Sequence, residues 1–278
     1  MRKVVVNYFI VIFTVGILLL APATTAFSFV NNQVAAKVLG QGGFTSNDST
    51  SASTTSLKTP VGTVVDASGN VWVADADNNR VLKFAASPST NDPAIIVLGQ
   101  PDFTQNTANN GGLSSNSLFS PQGLAFDGDG NLWVADTGNN RVLMFSDGDT
   151  NTATSNFVNN QAASKVLGQP NFVSNFPNQG GAISASTLSH PRGIHMDLLG
   201  VLWVSDSANN RVLQYSDGDL LPTTNTFSDG QAASVVIGQP NFVSGLPNQG
   251  TTTTNALKLN HPNGITMTTD TGDRKSVV

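Results

Sequence analysis

The sequence predicts an all-β fold, a β-propeller built from four-stranded antiparallel blades. Three observations lead to this prediction. A hairpin motif recurs along the chain, other short motifs share its period, and the hairpin strands lack the apolar and polar alternation of a half-buried sheet. Strands without this alternation are covered on both faces, as they are when blades stack on one another.

The hairpin motif is clearest at Asn131 to Phe145, and it recurs nearly unchanged at Asn70 to Phe84 and Val201 to Tyr215. In the clearest copy, two runs of β-branched, aliphatic and aromatic residues, Leu132 to Ala135 and Val142 to Phe145, flank a tetrad of small polar residues. Asn and Gly tolerate the left-handed backbone that tight turns require. The motif therefore predicts two strands joined by a turn.

Two further motifs complete each unit. A Pro-x-Gly motif precedes each hairpin and predicts the first strand, and a Val-Leu-Gly-Gln or Val-Ile-Gly-Gln motif follows and predicts the fourth. The resulting propeller is assigned to residues 29–272, with units at about 60–99, 121–168, 191–238 and 262–272.

An isolated fourth-strand motif, Val38 to Gln41, precedes the first hairpin unit. We expect it to complete the last blade, because propellers commonly fasten their two ends in this way. The chain then holds three whole blades, this closing strand and the start of a fourth blade. We expect an incomplete arc with unpaired edges and exposed blade faces, prone to self-association.

The N-terminal segment, residues 1–26, has basic residues at its start, an apolar run from Val4 to Leu20, and small residues up to Ala26. This pattern is typical of a secretory signal peptide, with an uncleaved membrane anchor as the alternative. The sequence therefore predicts an extracytoplasmic protein, which is secreted, periplasmic or at the cell surface.

The last six residues, Asp273 to Val278, break the repeat where a second strand is expected. They correspond to the in-frame translation of a common sequencing-adapter oligonucleotide. We therefore expect residues 273–278 to be an artefactual tail and the gene to continue beyond it.

Composition excludes several classes of function. Only 11% of the residues are charged, the net charge is -5, and the basic residues are scattered singly, which argues against nucleic-acid binding. The absence of Cys excludes disulfides, zinc-thiolate sites and thiol catalysis.

These motifs together resemble the NHL-repeat family of propellers. The matching pattern is Pro-x-Gly, a short strand ending in Asp, Gly-Asn-Leu-Trp-Val-Ala-Asp and Asn-Asn-Arg-Val, and it covers about Val38 to Thr269. The resemblance implies a propeller, commonly six-bladed, that acts as an extracellular or scaffold-type binding surface. A minority of the family resemble lyases or lactone hydrolases with a metal in the central channel.

An Asp and an Arg bracket the hairpin turn in every complete unit. Because the pair is repeated, we interpret it as a structural ion pair that binds bidentately and holds one blade to the next. The pairs are Asp75 with Arg80, Asp136 with Arg141, and Asp206 with Arg211.

The candidates for a metal site are few. His190 and His261 occupy equivalent positions before a first strand, where imidazoles on adjacent blades could take part in a metal or acid-base site, although we favour a capping or loop-packing role. The acidic turn Asp127 to Asn131 resembles a calcium loop, but Gly138 stands where that loop requires Glu. The acidic turns Asp147-Gly-Asp149 and Asp217-Gly-Asp219 follow the third strands; turn chemistry explains them, with weak calcium sites as the alternative. We therefore expect no catalytic residue and no cofactor, with calcium or zinc as the alternatives.

The sequence predicts a non-enzymatic propeller that binds a protein or a glycan through one rim. The loops between successive blades are enlarged and variable, while the framework repeats. In each loop a Phe is expected to anchor the base in the core. These loops are Phe44 to Thr59, Phe103 to Ser120, Phe172 to His190 and Phe242 to His261.

The alternative is a metal-dependent lyase or lactone hydrolase with its site in the central channel. We expect no nucleic-acid partner, and membrane association only if the N-terminal segment stays uncleaved.

Overall fold

The computed structural model describes residues 34–47, 51–148, 156–216 and 227–266. The chain divides into two compact units, Met1–Ala36 and Lys37–Val278, and every strand described below lies in the second. The predicted signal segment and the predicted artefactual tail lie outside the described residues. Within them, no helix combines the length and the apolar character needed to cross a membrane.

The described part of the chain is all-β, as predicted, and forms three four-stranded antiparallel sheets. Each sheet follows the chain order of its strands, and together the sheets do not close into a ring. Sheet 1 holds β1 (Pro60–Val65), β2 (Val71–Asp75), β3 (Arg80–Phe84) and β4 (Ile96–Leu98). Sheet 2 holds β5 (Pro121–Phe126), β6 (Leu132–Asp136), β7 (Arg141–Phe145) and β8 (Lys165–Leu167). Sheet 3 holds β9 (Pro191–Met196), β10 (Leu202–Asp206), β11 (Arg211–Tyr215) and β12 (Val235–Ile237).

The predicted hairpins are confirmed, and each strand extends one residue further towards the turn than the apolar runs suggest. Asp136 and Arg141 are therefore the closing pair of the β6–β7 ladder. The turn between them is a short 3-10 segment, Thr137–Asn139, followed by Asn140 at a φ of 54°. Asn tolerates this left-handed conformation better than most residues do, which explains the second Asn of the motif.

The sheets stack face to face, so strands without alternation are buried on both sides. One apolar cluster joins sheets 1 and 2, and another joins sheets 2 and 3. Trp72 lies in the first cluster and contacts Phe157 edge-on, with 4.8 Å between ring centroids. Trp133 contacts Phe227 in the same way in the second cluster. In sheets 2 and 3, an aromatic residue from the loop between the third and fourth strands thus packs against the preceding sheet.

The Pro-x-Gly motif has a steric cause. A Cβ on Gly123 would overlap the carbonyl oxygen of Arg192 in the next sheet's first strand, and one on Gly193 would overlap the carbonyl oxygen of Asn263. Glycine at this position therefore lets successive first strands approach closely.

The isolated motif Val38 to Gln41 lies against sheet 1 in the place that β4 occupies against sheet 2. Asn91 donates its backbone N–H to Val38 O at 3.0 Å, just as Asn160 donates to Val97 O at 2.9 Å. Residues 38–41 form no strand. They therefore stand where the fourth strand of a preceding blade would stand, and their role in closing the last blade stays a prediction.

The expectation that a Phe anchors each rim loop in the core is wrong for the first loop. Phe103, Phe172 and Phe242 pack against the three apolar clusters. Phe44 is 58% exposed. Each of the other three Phe side chains packs against the sheet that precedes its loop. The described residues contain no sheet before Phe44.

Candidate functional site

Two surfaces of the second unit are candidates for function. The first is the rim that carries the β2–β3, β6–β7 and β10–β11 turns together with the loops between sheets, called the rim loops here. The rim loops are Phe103 to Ser120, Phe172 to His190 and Phe242 to His261, with the described part of Phe44 to Thr59. The second surface is the groove lined by the first strands of the sheets.

The repeated ion pairs lie at the base of this rim. Arg141 donates from Nε to Asp136 Oδ2 at 2.7 Å, and both side chains are fully buried. The pairs Asp75–Arg80 and Asp206–Arg211 have the same geometry, at 2.8 and 2.7 Å. The predicted bidentate contact is wrong, because the other carboxylate oxygen of Asp136 accepts the backbone N–H of Phe119.

The rest of each guanidinium binds loop carbonyls. Arg141 Nη1 donates to Phe172 O at 2.6 Å, and Nη2 donates to Ser114 O and Ser117 O at 3.0 and 2.9 Å. Ser114 and Ser117 belong to the rim loop before sheet 2, and Phe172 belongs to the loop after it. One buried side chain therefore holds two successive rim loops to the hairpin.

Burial raises the pKa of Asp136 above its ordinary value, and the charge of Arg141 acts against that rise. The carboxylate also accepts hydrogen bonds from Phe119 N and Asn139 Nδ2, which favour its charged form. Burial likewise raises the pKa of Asp75 and of Asp206. The donors around each carboxylate thus act against the effect of burial on its pKa.

Buried amides add further anchors to the loop after sheet 2. Asn140 Nδ2 donates to Asn175 O at 2.9 Å, and Gln169 Nε2 donates to Phe176 O at 2.9 Å. In the same loop, Asn178 exchanges amide hydrogen bonds with Asn209 of the next hairpin. The loop is thus tied to both sheets that flank it.

Apolar side chains project from this anchored backbone. Val173 and Phe176 are each 68% exposed, and their equivalents Val243 and Leu246 are 69% and 65% exposed. The two loops share the motif Asn-Phe-Val-Ser-x-(Phe or Leu)-Pro-Asn-Gln-Gly. The sequence analysis did not single out these residues, although the motif repeat was the signal that could have found them.

The two candidate histidines lie on the same rim. His190 and His261 have exposed side chains and donate their backbone N–H groups to Asn140 Oδ1 and Asn210 Oδ1 at 2.8 and 2.9 Å. Each histidine directly precedes the Pro of a Pro-x-Gly motif and has a φ near 49°. Within the described ranges, no three His, Asp or Glu residues come together as a potential metal site.

The acidic turn considered for calcium is occupied by protein donors. Asp127 accepts hydrogen bonds from Asn131 N, Asn131 Nδ2 and Trp133 Nε1. This arrangement is repeated at Asp66 and Asp197. The carboxylates close the turn between the first and second strands, which is the role that turn chemistry gives to Asp. Asp149, Asp217 and Asp219, in the other acidic turns, lie outside the described residues.

The groove has a volume of about 660 Å³ and is lined by β1, β5, β9 and residues 263–265. Its ionisable lining residues are Arg192 and His195. Burial lowers the pKa of His195 below its ordinary value, and the nearby Asp197 acts in the opposite direction. The sequence analysis did not single out Arg192 or His195 as site residues.

Comparison with solved structures finds β-propeller proteins. One is the virginiamycin B lyase of Staphylococcus aureus, at 16% identity and a TM-score of 0.34, over 57% of this chain and 38% of that one. Others are a streptogramin B lyase, at 14% identity and 0.33 over 75% and 58%, and a luciferin-regenerating enzyme, at 13% and 0.28 over 72% and 83%. The chain thus spans about two fifths of the length of the virginiamycin B lyase. These likenesses carry no argument about activity.

The stacked four-stranded sheets and their repeated anchors define a repeat protein of the propeller type. The family model for the NHL repeat matches residues 57–84 and 120–145, so the chain contains NHL repeats. Residues 191–215 have the same strand order and the same ion pair as the matched segments. No curated protein matches the chain by sequence.

Proposed function

We propose that the chain belongs to an exported NHL-repeat protein that binds a protein partner through its rim loops and catalyses no reaction. Export is supported by the signal-like pattern of residues 1–26. Binding is supported by the rim, and one observation carries the proposal. The rim loops expose four apolar side chains, although buried side chains of the sheets bind the loop backbones through hydrogen bonds. These side chains are Val173, Phe176, Val243 and Leu246.

The exposure of these four residues is a property of the loops themselves. The loop with Val173 and Phe176 is followed by the complete sheet 3, whereas only residues 262–266 are described after the loop with Val243 and Leu246. Both loops nevertheless expose the same positions to the same extent, between 65% and 69%. The two apolar pairs therefore repeat at the spacing of one blade.

Exposed apolar side chains on a rigid backbone suit a protein partner. Exposed apolar side chains favour association because a partner that covers them removes them from water, and Phe is enriched in protein interfaces. A backbone that is already ordered loses little conformational entropy on binding. The surrounding Asn, Ser and Gln residues match the polar rim that encloses such contacts.

The test begins with a photo-crosslinking amino acid at position 176 of the full chain, which identifies the neighbour of the rim. The affinity of the purified partner is then measured for the wild type, for V173S/F176S and for V243S/L246S. The matched control is L198S, because Leu198 is 74% exposed in the β9–β10 turn at the opposite end of sheet 3.

We expect the rim variants to bind about tenfold more weakly or worse, and L198S to bind within about twofold of the wild type. Thermal unfolding of each variant checks that the fold is unchanged. Equal effects of rim and control variants would contradict the proposal. The proposal would also be contradicted if the protein bound a purified glycan and both rim variants bound it equally well. Such binding would not depend on the apolar pairs.

A further inference from the structure

The groove contains one arginine side chain, Arg192, that forms no ion pair among the described residues. Four arginines lie in the described part of the chain, and three of them form the buried pairs with Asp75, Asp136 and Asp206. The fourth is Arg192, the second residue of β9. Its Nε is buried and has no hydrogen-bond partner among the described residues. Buried donors are nearly always paired in native proteins, so this Nε is a donor that a molecule bound in the groove can use.

Two residues with carboxamide side chains lie on the segments that neighbour Arg192. Gln122 in β5 and Asn263 in the segment after the last rim loop occupy the same position of the Pro-x-Gly motif as Arg192, and all three residues line the groove. The close approach at Gly123 and Gly193 brings these strands together at this level. The segment that carries Arg192 therefore lies between two segments that carry amides, and each amide has two N–H donors to offer a ligand.

The groove lining contains no carboxylate to neutralise Arg192. The closest acidic residue along β9 is Asp197, and its carboxylate accepts hydrogen bonds from Leu199 N, Val201 N and Trp203 Nε1. It therefore belongs to the β9–β10 turn. In a chain with a net charge of -5, the groove is a local site for a negative group.

We propose that the groove binds a small anion through a carboxylate or phosphate group held by Arg192, with Gln122 and Asn263 as additional donors. The planar guanidinium presents parallel N–H groups that match both anions. The volume of about 660 Å³ lies in the range of small-molecule sites. This site is separate from the apolar pairs of the rim and does not depend on a protein partner.

The test is a calorimetric titration of the full chain with two probes, succinate for carboxylates and inorganic phosphate for phosphates. We expect saturable binding of one probe per chain, and the preferred probe identifies the class of anion. R192Q should weaken that binding about tenfold or more, because hydrogen bonds to charged groups are the strong ones. R192K should retain part of it.

The matched control is K165Q, which removes one positive charge from β8, away from the groove lining. It should bind within about twofold of the wild type, as should V173S/F176S, which separates this site from the rim. Binding of R192Q as tight as that of the wild type would overturn the proposal. So would the failure of both probes to bind the folded wild type at about 10 mM, a concentration that detects even weak sites.

Discussion

Each buried arginine of the repeat organises its surroundings through four hydrogen bonds. Arg211 illustrates the set, because it donates to Asp206, to Phe242 O, and to two carbonyls of the preceding rim loop, Ser184 O and Thr187 O. The planar guanidinium has five N–H donors spread over three nitrogens, so it reaches four acceptors in different directions, whereas the three donors of a Lys ammonium sit on one atom. This geometry explains why the repeat has Arg at this position three times.

We predict that Arg141→Met destabilises the protein by about 3–5 kcal/mol. The substitution leaves the carboxylate of Asp136 buried without its cation, and it removes the donors of three loop carbonyls. The measurement is the free energy of unfolding from urea denaturation. The matched control, Lys165→Met, removes a cation with no ion pair in the described residues, and it should change stability by less than about 0.5 kcal/mol. Similar losses in both variants would contradict the structural role of the pair.

We predict that His195 makes the protein less stable in mild acid. Burial lowers the pKa of His195 below 6.5, so the unfolded chain takes up the proton first as the pH falls. This contribution to stability is complete above pH 6.5 and is lost as the pH falls from there towards the lowered pKa. Unfolding free energies of the wild type and His195→Gln, compared between about pH 7.5 and 5, should differ in slope. Parallel pH profiles would show that His195 does not contribute.

At the scale of the strand, the Pro-x-Gly motif makes a direct prediction. Gly123→Ala should destabilise the protein by about 1–3 kcal/mol, because the added Cβ meets the backbone of β9 and a main chain cannot move aside cheaply. Gly264→Ala is the matched control, since it occupies the same position of the motif and has no atom within 4 Å of its Cβ. Thermal unfolding of the two variants decides the matter, and equal midpoints would contradict the close-approach explanation.

The strands and hairpins could be predicted from the sequence because their signals are local. Leu132 to Ala135 and Val142 to Phe145 are continuous β-forming runs around a turn of Asn and Gly, and the observed strands differ only by adding Asp136 and Arg141. Repetition of the motif then predicted the number of strands in each unit. Local propensity and tertiary structure agree in this part of the chain.

The site could be predicted only in part, because its features depend on contacts between distant segments. Arg192 lies in the groove because β9 packs between β5 and the segment that contains Asn263, and no motif next to Arg192 in the sequence indicates this position. The bidentate pairing expected for Arg141 failed because Phe119, seventeen residues before Asp136, takes one carboxylate oxygen. Phe44 was expected in the core by analogy with its repeats, but its neighbours along the stack differ.

At the scale of the whole second unit, the stacking of sheets places the three tryptophans in different surroundings. Trp72 and Trp133 are fully buried between sheets, whereas Trp203 in sheet 3 is partly exposed. We predict that acrylamide quenches the fluorescence of one of the three tryptophans selectively. Trp203→Phe should remove the quenchable component. Uniform quenching of all three residues would contradict the described stacking.

The account rests on rim loops that are ordered before any partner binds, and hydrogen exchange measures that order directly. In the loop from Phe172 to His190, Asn178 donates its N–H to Leu188 O at 2.9 Å, and Gly181 donates to Asn178 O at 3.0 Å. We predict that these amides in the free full chain exchange at least about a hundredfold more slowly than in an unstructured peptide of the same sequence. Exchange at the peptide rate would contradict a preorganised rim and the binding function proposed for it.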